Sequence, residues 1–491
     1  MKRLITTLLA GSLLAGCAVG PNYARPETPP TTAGAFVDPG ITKVSPGEVE
    51  GEWWRLFNDP ALDRLVVDAL THNTDIRQAS ANLKRARAIL SEARGQRLPT
   101  TDVSASYTRQ RTGAESAQGG LPPGVAAVES DFFRVGFDAS YEIDLFGRVS
   151  RSIEAARRDT EAAQAALDGA RVAIAAETAR TYASACGFAA QAEVARETVR
   201  LQTRTLELTQ RLVDAGRGTA RDIDQARVLA ENARAQVPAF EAERRAALYA
   251  LATLTGRPPA ELDTQASQCM TPPGVSALIP VGDGQALLAR RPDVREAERR
   301  LAADTARVGV ATASLYPSIQ LLGSVSLGAQ KIEDLGKTSS FNFSLGPLLS
   351  WSFPNITAAR SQIRQAEAGA EGSLAAFDGA VLTALREVEQ ALARYSGEIE
   401  RNVALRRADT AATNAARIAI LRFDAGRDSL LQRIDAERDR ANARASLAAS
   451  NAALAEAQVA LFKALGGGWE DAPAPVRREA AVTTMTTATT P

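Results

Sequence analysis

Residues 147–214 and 356–424 form two tracts with few helix breakers, each on the order of 65 residues long. At ~1.5 Å per residue one such helix is on the order of 100 Å long. Helices of globular domains average about 11–12 residues. These tracts must therefore lie along other rods and not inside a compact core. Each ends in a glycine turn, Ala215-Gly216-Arg217-Gly218 and Ala425-Gly426-Arg427-Asp428, where glycine suits the left-handed position that closes a helix. A second helix returns over 220–255 and 428–465. In the first, Ile223, Ala226, Ala230, Ala233, Val237 and Phe240 follow three/four spacing. In the second, Ile434, Ala441, Ala448, Ala455 and Phe462 recur every seven residues. This is coiled-coil spacing, and small alanine knobs allow close approach. Pro238 interrupts the first seam, which predicts a kink.

The chain is one unit written twice. Asn73-Thr74-Asp75-Ile76-Arg77-Gln78-Ala79 reappears as Arg291-Pro292-Asp293-Val294-Arg295-Glu296-Ala297. The register then holds without a gap to Leu98-Pro99-Thr100 and Tyr316-Pro317-Ser318. Each copy predicts a helix that stops at its proline, followed by a strand hairpin, about 101–144 and 318–353. Phe133, Val135, Phe137, Ala139, Tyr141 and Ile143 alternate with Arg134, Gly136, Asp138, Ser140, Glu142 and Asp144. Phe341, Phe343, Leu345, Leu349, Trp351 and Phe353 alternate largely with polar or small residues. Period-two alternation means strands with one apolar and one polar face. The first unit spans 61–270 and the second 271–469.

Composition narrows the function. There are 57 basic and 57 acidic residues. That balance argues against nucleic acid as a partner. His72 is the single histidine and there are three methionines. His-based metal sites and triad catalysis are thereby nearly removed. The chain is expected to be no enzyme and to use no cofactor. His72, whose counterpart in the second unit is Arg290, is read as a surface or packing residue. Cys186 and Cys269 could pair in an oxidising compartment, but two cysteines make no disulfide framework and are read as small buried thiols. No tract after residue 20 is apolar enough for a transmembrane helix; a membrane role stays open, because β-barrel strands carry a much weaker hydropathy signal.

The first sixteen residues read as a signal peptide: Lys2 and Arg3, then an apolar run from Leu4 to Leu14. Leu14-Ala15-Gly16-Cys17 resembles the bacterial lipoprotein cleavage box. The resemblance implies cleavage before Cys17, a diacylglycerol on its thiol and an acyl chain on its new amine. Ala18 is compatible with the outer membrane. Residues 17–60 are expected to run extended from that anchor, and 470–491 to be a disordered tail.

Four strands cannot span a membrane alone, because open edges leave backbone groups unpaired in lipid. Closed bacterial barrels need about 8 strands. A dimer would supply that number with a filled interior, and a trimer would add room for a wet lumen. Arg134, Asp138 and Glu142 would line the lumen, while Phe133, Phe137, Tyr141 and Trp351 would meet lipid.

Trp53-Trp54-Arg55-Leu56-Phe57-Asn58-Asp59-Pro60-Ala61-Leu62 resembles the opening motif of the outer-membrane factor (TolC-like) family. Tyr141-Glu142-Ile143-Asp144-Leu145-Phe146-Gly147-Arg148 matches that family's strand-to-helix junction. Arg422-Phe423, Gly426, Asp428, Leu431 and Ile434-Asp435-Ala436 fit its second helix turn, and Lys463-Ala464-Leu465-Gly466-Gly467-Gly468-Trp469 its end. With the lipoprotein box, the chain looks closest to the OprM/NodT branch. The resemblance implies a mixed α/β membrane protein and homotrimer: three copies of four strands, 12 in all, forming a 12-stranded outer-membrane β-barrel. The barrel would continue into a periplasmic α-helical coiled-coil tunnel. It further implies docking to a periplasmic adaptor and to an inner-membrane pump of the resistance-nodulation-division type.

The resemblance also implies that the positions matching Leu431, Asp435 and Arg438 contribute to a closed periplasmic aperture, with Phe423, Asp424 and Asp428 beside them. The family often carries a Tyr-Arg pair where this chain has Phe423-Asp424, so a hydroxyl and a cation are missing from the latch. Adaptor contacts are expected at the exposed turns, Gly216-Arg217-Gly218-Thr219 and Gly426-Arg427-Asp428-Ser429. The function implied is a passive exit duct for drugs or other small molecules. Type I protein secretion and metal-ion efflux are the transport alternatives. A structural periplasmic coiled-coil lipoprotein is the alternative without a pore.

Overall fold

A computed structural model describes residues 18–27, 34, 36, 43–47, 51–112, 128–261, 263–354 and 356–476. The signal peptide, Cys17, most of the first hairpin loop and the tail from 477 onward lie outside the described residues. No described helix is long and apolar enough to cross a membrane.

The element order runs through the same series twice. A short helix, α1 (Pro60–His72), and a longer one, α2 (Thr74–Gly95), lead into strands β2 (Thr100–Thr112) and β3 (Val128–Ile143). The rods α3 (Arg148–Asp214) and α4 (Ala220–Leu254) follow. The second pass is α5 (Gly284–Arg290), α6 (Pro292–Ala313), β5 (Ser318–Ala329), β6 (Phe341–Ser350), α7 (Ile356–Asp424) and α8 (Leu430–Leu465). Two-residue strands β1 (Val44–Ser45) and β4 (Ile279–Pro280) pair in parallel. The rods begin and end within two residues of the spans read from the sequence. β6 stops at Ser350, three residues short of the expected end, ahead of a cis Phe353–Pro354 peptide. α4 continues through Pro238 without interruption.

Local chemistry explains the boundaries. The Asp59 carboxylate accepts from the N–H groups of Ala61 and Leu62, and Pro60 takes the first helical position of α1, where a missing N–H costs nothing. Asn73 does the same for α2. At the β3–α3 junction Asp144 accepts from Val149 and Ser150 N–H at 2.9 and 2.8 Å. There Glu142 holds Arg148 at 2.7 Å, and Gly147 turns the chain at a φ of 80°. The Tyr141–Arg148 motif is thus a strand stop and a helix start written in consecutive residues.

The chain divides into two compact units. One comprises the stretch up to Pro26, Lys84–Ala162 and Ala297–Phe377, and contains the four-stranded antiparallel sheet β2-β3-β5-β6. The other comprises Glu27–Leu83, Ala163–Glu296 and the chain from Asp378. Its core gathers Trp53, Trp54, Leu62, Leu70, Tyr182, Leu392, Tyr395, Leu461 and Phe462. Trp53 stacks on Phe462 with ring centroids 4.9 Å apart, and a Cβ at Gly468 would press on Trp53 and Trp54 at 3.0 and 3.2 Å. The double tryptophan and the glycine-rich end are two halves of one packing site.

Three expectations are corrected. Cys186 and Cys269 form a disulfide, with Cα atoms 5.1 Å apart. The segment after α4 folds back on the buried Cys186 of α3, a proximity that separation in sequence does not reveal. Residues 53–57 are a buried 3-10 helix and not an extended run, because two tryptophans and a phenylalanine have more to gain from the core than from solvent. The start of the presumed tail is ordered: Val476 N–H donates to Thr71 O at 2.9 Å.

Candidate functional site

Alternation sends every second side chain of a strand to the same side, and register decides which become neighbours. Val103, Phe137, Val325 and Phe343 form one row across all four strands. The adjacent row, on the opposite face, is Asp102, Asp138, Ser324 and Ser344. Arg134 lies between Ser106 and Gly328, and Glu142 lies opposite Gln320. Arg134, Asp138 and Glu142 therefore share the polar face. The apolar face is bare: Val103 is 79% and Phe343 73% exposed. Aromatic pairs mark both ends of the strands. Tyr107 meets Phe133 at 4.9 Å level with the last residue of β5, Ala329, while β2 and β3 pair on beyond it; at the other end Phe146 stacks on Tyr316 at 4.6 Å and Trp351 on Phe353 at 4.8 Å. The Trp351 indole N–H is spent on Leu315 O at 3.1 Å. An apolar face this exposed, with aromatics at both rims, suits hydrocarbon between two interfaces.

The two helix-hairpin turns are built alike. Gly216 and Gly426 adopt φ values of 71° and 69°. The next residue's N–H reaches back to the helix, Arg217 to Leu212 O and Arg427 to Arg422 O, both at 2.8 Å. Thr219 with Asp222, and Ser429 with Gln432, close capping boxes on the returning helices. The Thr219 backbone N–H, and then its hydroxyl, hold the Asp222 carboxyl below the usual carboxylate range. Gly216, Arg217, Thr219, Gly426, Arg427 and Ser429 are exposed; Gly218 and Asp428 are half-buried.

Each residue expected near the aperture has a definite place. Asp428 accepts from Arg422 Nε at 2.9 and 3.0 Å, clamping its own turn. Asp435 pairs with Arg438 at 3.2 Å, both about half exposed. Leu431 is exposed. Phe423 and Asp424 both contact a cation of α8. Arg433 sits 5.2 Å over the Phe423 ring and 3.4 Å from the Asp424 carboxylate. Arg433 also donates to Glu437 at 3.1 Å.

Glu437 is the residue that sequence reasoning missed. It is buried, and it accepts from the Thr205 hydroxyl of α3 at 2.6 Å. The signal was present in the spacing. Glu437 stands three after Ile434 and four before Ala441, in the coiled-coil seam itself. In α3 the buried polar residues Gln202, Thr205 and Thr209 repeat at the same three/four interval. Beside them a cleft of about 370 Å³ opens between α3, α4 and α8. Its lining includes Gln202, Asn232, Gln236, Phe240, Asn442 and Arg438. Exposed His72 stays within 3.1 Å of Asp68 O, one turn back in its own helix.

Comparison with known proteins decides the family. The model of the outer membrane efflux protein family matches residues 65–257 and 284–467. The chain belongs to the outer membrane efflux protein family. Each of the two matched stretches runs from a short helix through a strand pair to a returning rod. Among curated relatives, outer membrane protein OprJ of Pseudomonas aeruginosa is 30% identical over 468 residues, covering 95% of this chain and 96% of the relative. Nodulation protein T of Rhizobium leguminosarum bv. trifolii is 30% identical, covering 94% and 97%. The solved outer-membrane channel OprN superposes with a TM-score of 0.85 at 35% identity, over 92% of this chain and 100% of that one.

Proposed function

We propose that this outer-membrane efflux channel protein works as one third of a trimeric exit duct. The order β2-β3-β5-β6 is antiparallel throughout, so β2 and β6 run in opposite directions. Joining β6 of one copy to β2 of the next keeps every ladder antiparallel. Three sheets of four strands give a barrel with 12 strands in all. One observation carries this reading: a four-strand row of bare apolar side chains backs directly onto a row of carboxylates and hydroxyls. The polar face, with Arg134, Asp138 and Glu142, lines the lumen, and drugs or other small molecules pass without a chemical step.

The helix turns form the periplasmic gate, where Phe423, Asp424, Asp428, Leu431, Asp435 and Arg438 recur three times around the axis. Rings of charge and of leucine at one level are the usual means of narrowing a pore. The exposed turns 216–219 and 426–429 meet a periplasmic adaptor, which couples the duct to a resistance-nodulation-division pump. Cys17 carries a diacylglycerol and an N-acyl chain that anchor the mature chain in the outer membrane. A single acyl chain binds only marginally, so several are needed for stable anchoring.

Planar-bilayer conductance tests the gate. Replacing Asp435 and Arg438 by alanine together should raise single-channel conductance severalfold. Unchanged conductance from a correctly assembled trimer would sink the assignment. Photo-crosslinking from Arg217 and Arg427 in cells should capture one periplasmic partner.

A further inference from the structure

The N-terminal segment does not leave the sheet-containing unit as a loose tether. Val19 N–H donates to Phe146 O at 3.3 Å, at the β3–α3 junction. Arg151 of α3, only 5% exposed, donates to Val19 O at 3.3 Å, Gly20 O at 3.4 Å and the Asn22 side chain at 2.7 Å. Glu154 balances its charge at 2.8 Å. Farther along, the Tyr23 hydroxyl donates to the buried Glu298 of α6 at 3.0 Å. Burial, then Glu298, push the Tyr23 phenol up to about 12.

Backbone meets backbone beneath this strap. Gly20 has a φ of 88°, and a Cβ there would stand 2.5 Å from Gly309 Cα. A Cβ on Gly147 would stand 2.6 Å from Ala18 Cα. Glycine is required at both contacts for two backbone segments to approach this closely.

The seat lies at one rim of the sheet. Phe146, which accepts from Val19, is the ring stacked on Tyr316, and Leu98, Trp351 and Phe353 are exposed where the other strands end. Residue 17 is one peptide from Ala18, so its Cα lies about 3.8 Å away. A free strap of this length would instead let the anchor wander over roughly 16 Å.

We propose that residues 18–25 are a rigid mount for the lipid anchor. Arg151, Gly147 and Gly309 fix the acylated end of the chain at the aromatic rim, so that its acyl chains enter the leaflet this rim contacts. The mount rests on the reading that Cys17 is acylated and that the sheet faces lipid. It makes the anchor a depth gauge for the strands, set by protein contacts and not by linker length. Arg151 is a positioning residue in this scheme.

A nitroxide on Pro21→Cys, in the full-length protein in lipid nanodiscs, reads both mobility and depth. Cys186 and Cys269 are already paired and do not compete for the label. The spectrum should be immobilised, with oxygen and nickel accessibilities of the headgroup level. Arg151→Ala should shorten the rotational correlation time about fivefold or more, toward free-loop motion. Gly20→Val should do the same from within the strap, leaving the folded body untouched if Arg151→Ala fails to assemble. A mobile label in the parent protein, or a spectrum that neither substitution changes, overturns the mount. Mass measurement of the N-terminal peptide is scored separately. An unmodified cysteine overturns the anchor reading even where the label is immobile, and an acylated one with a mobile label overturns the mount alone.

Discussion

The disulfide offers the cleanest quantitative test. Cys186 and Cys269 close a loop with a sequence separation of 83. Chain-entropy arithmetic for a loop of that size gives ~4.6 kcal/mol at 25 °C, most of it from restricting the unfolded chain. Residual structure in the unfolded state lowers this, so about 2–4 kcal/mol should be measured. Cys269→Ser is the appropriate change. It leaves the fully buried Cys186 as a thiol, which behaves as a small apolar group. The segment should stay in place without the bridge, because Gln458 and Val275 exchange two hydrogen bonds at 2.9 and 3.0 Å. Thermal melts followed by helical circular dichroism should then show the midpoint falling by roughly 2–4 °C for a chain of this length. Dithiothreitol should produce the same fall in the parent protein and none in the variant. Equal midpoints with and without reductant, or two titratable thiols in the oxidised, denatured protein, would refute the reasoning.

Further outcomes follow from other contacts. Thr205→Val leaves the buried Glu437 carboxylate short of a donor and should cost about 1–3 kcal/mol. If that bond helps hold α8 against α3, open events in planar bilayers should also become more frequent. Leu345→Arg places a charge in the bare row of β6 and should cost about 2–4 kcal/mol per copy at mid-bilayer depth; trimer yield in outer-membrane fractions would report it, and undiminished yield would argue that this face never meets lipid. Asp222 has a folded pKa below its unfolded value. Its cap therefore stabilises the turn above the unfolded pKa and is lost as pH falls through the folded one. Amide exchange at 219–222, corrected for intrinsic rates, should rise across that interval and be flat in Asp222→Ala.

What the sequence discloses depends on how far apart the interacting groups lie along it. Phe133 to Ile143 announce a two-faced strand because the pattern is local, and Gly216 and Gly426 announce turns for the same reason. Asp435 and Arg438 are one helical turn apart, so their pairing is legible. Thr205 and Glu437 are 232 residues apart; spacing puts each in a seam but cannot say that the seams face one another. The cysteines failed in the same way, since separation carries no information on proximity. Trp53 and Trp54 carried a family resemblance, yet their purpose became visible only against Phe462 and Gly468.

The two outer strands of the sheet also bear on inheritance. β2 and β6 each pair on one side only among the described residues. In the trimer proposed above, each copy must lend both strands to its siblings, so no copy can be sound by itself. A variant that folds but offers a damaged β6 would enter assemblies and leave a seam open. Expressed equally beside the normal chain, with random mixing of three copies, it would leave roughly one trimer in eight free of the defect. Lesions on these strands should therefore behave as dominant, while lesions that prevent folding altogether should be recessive.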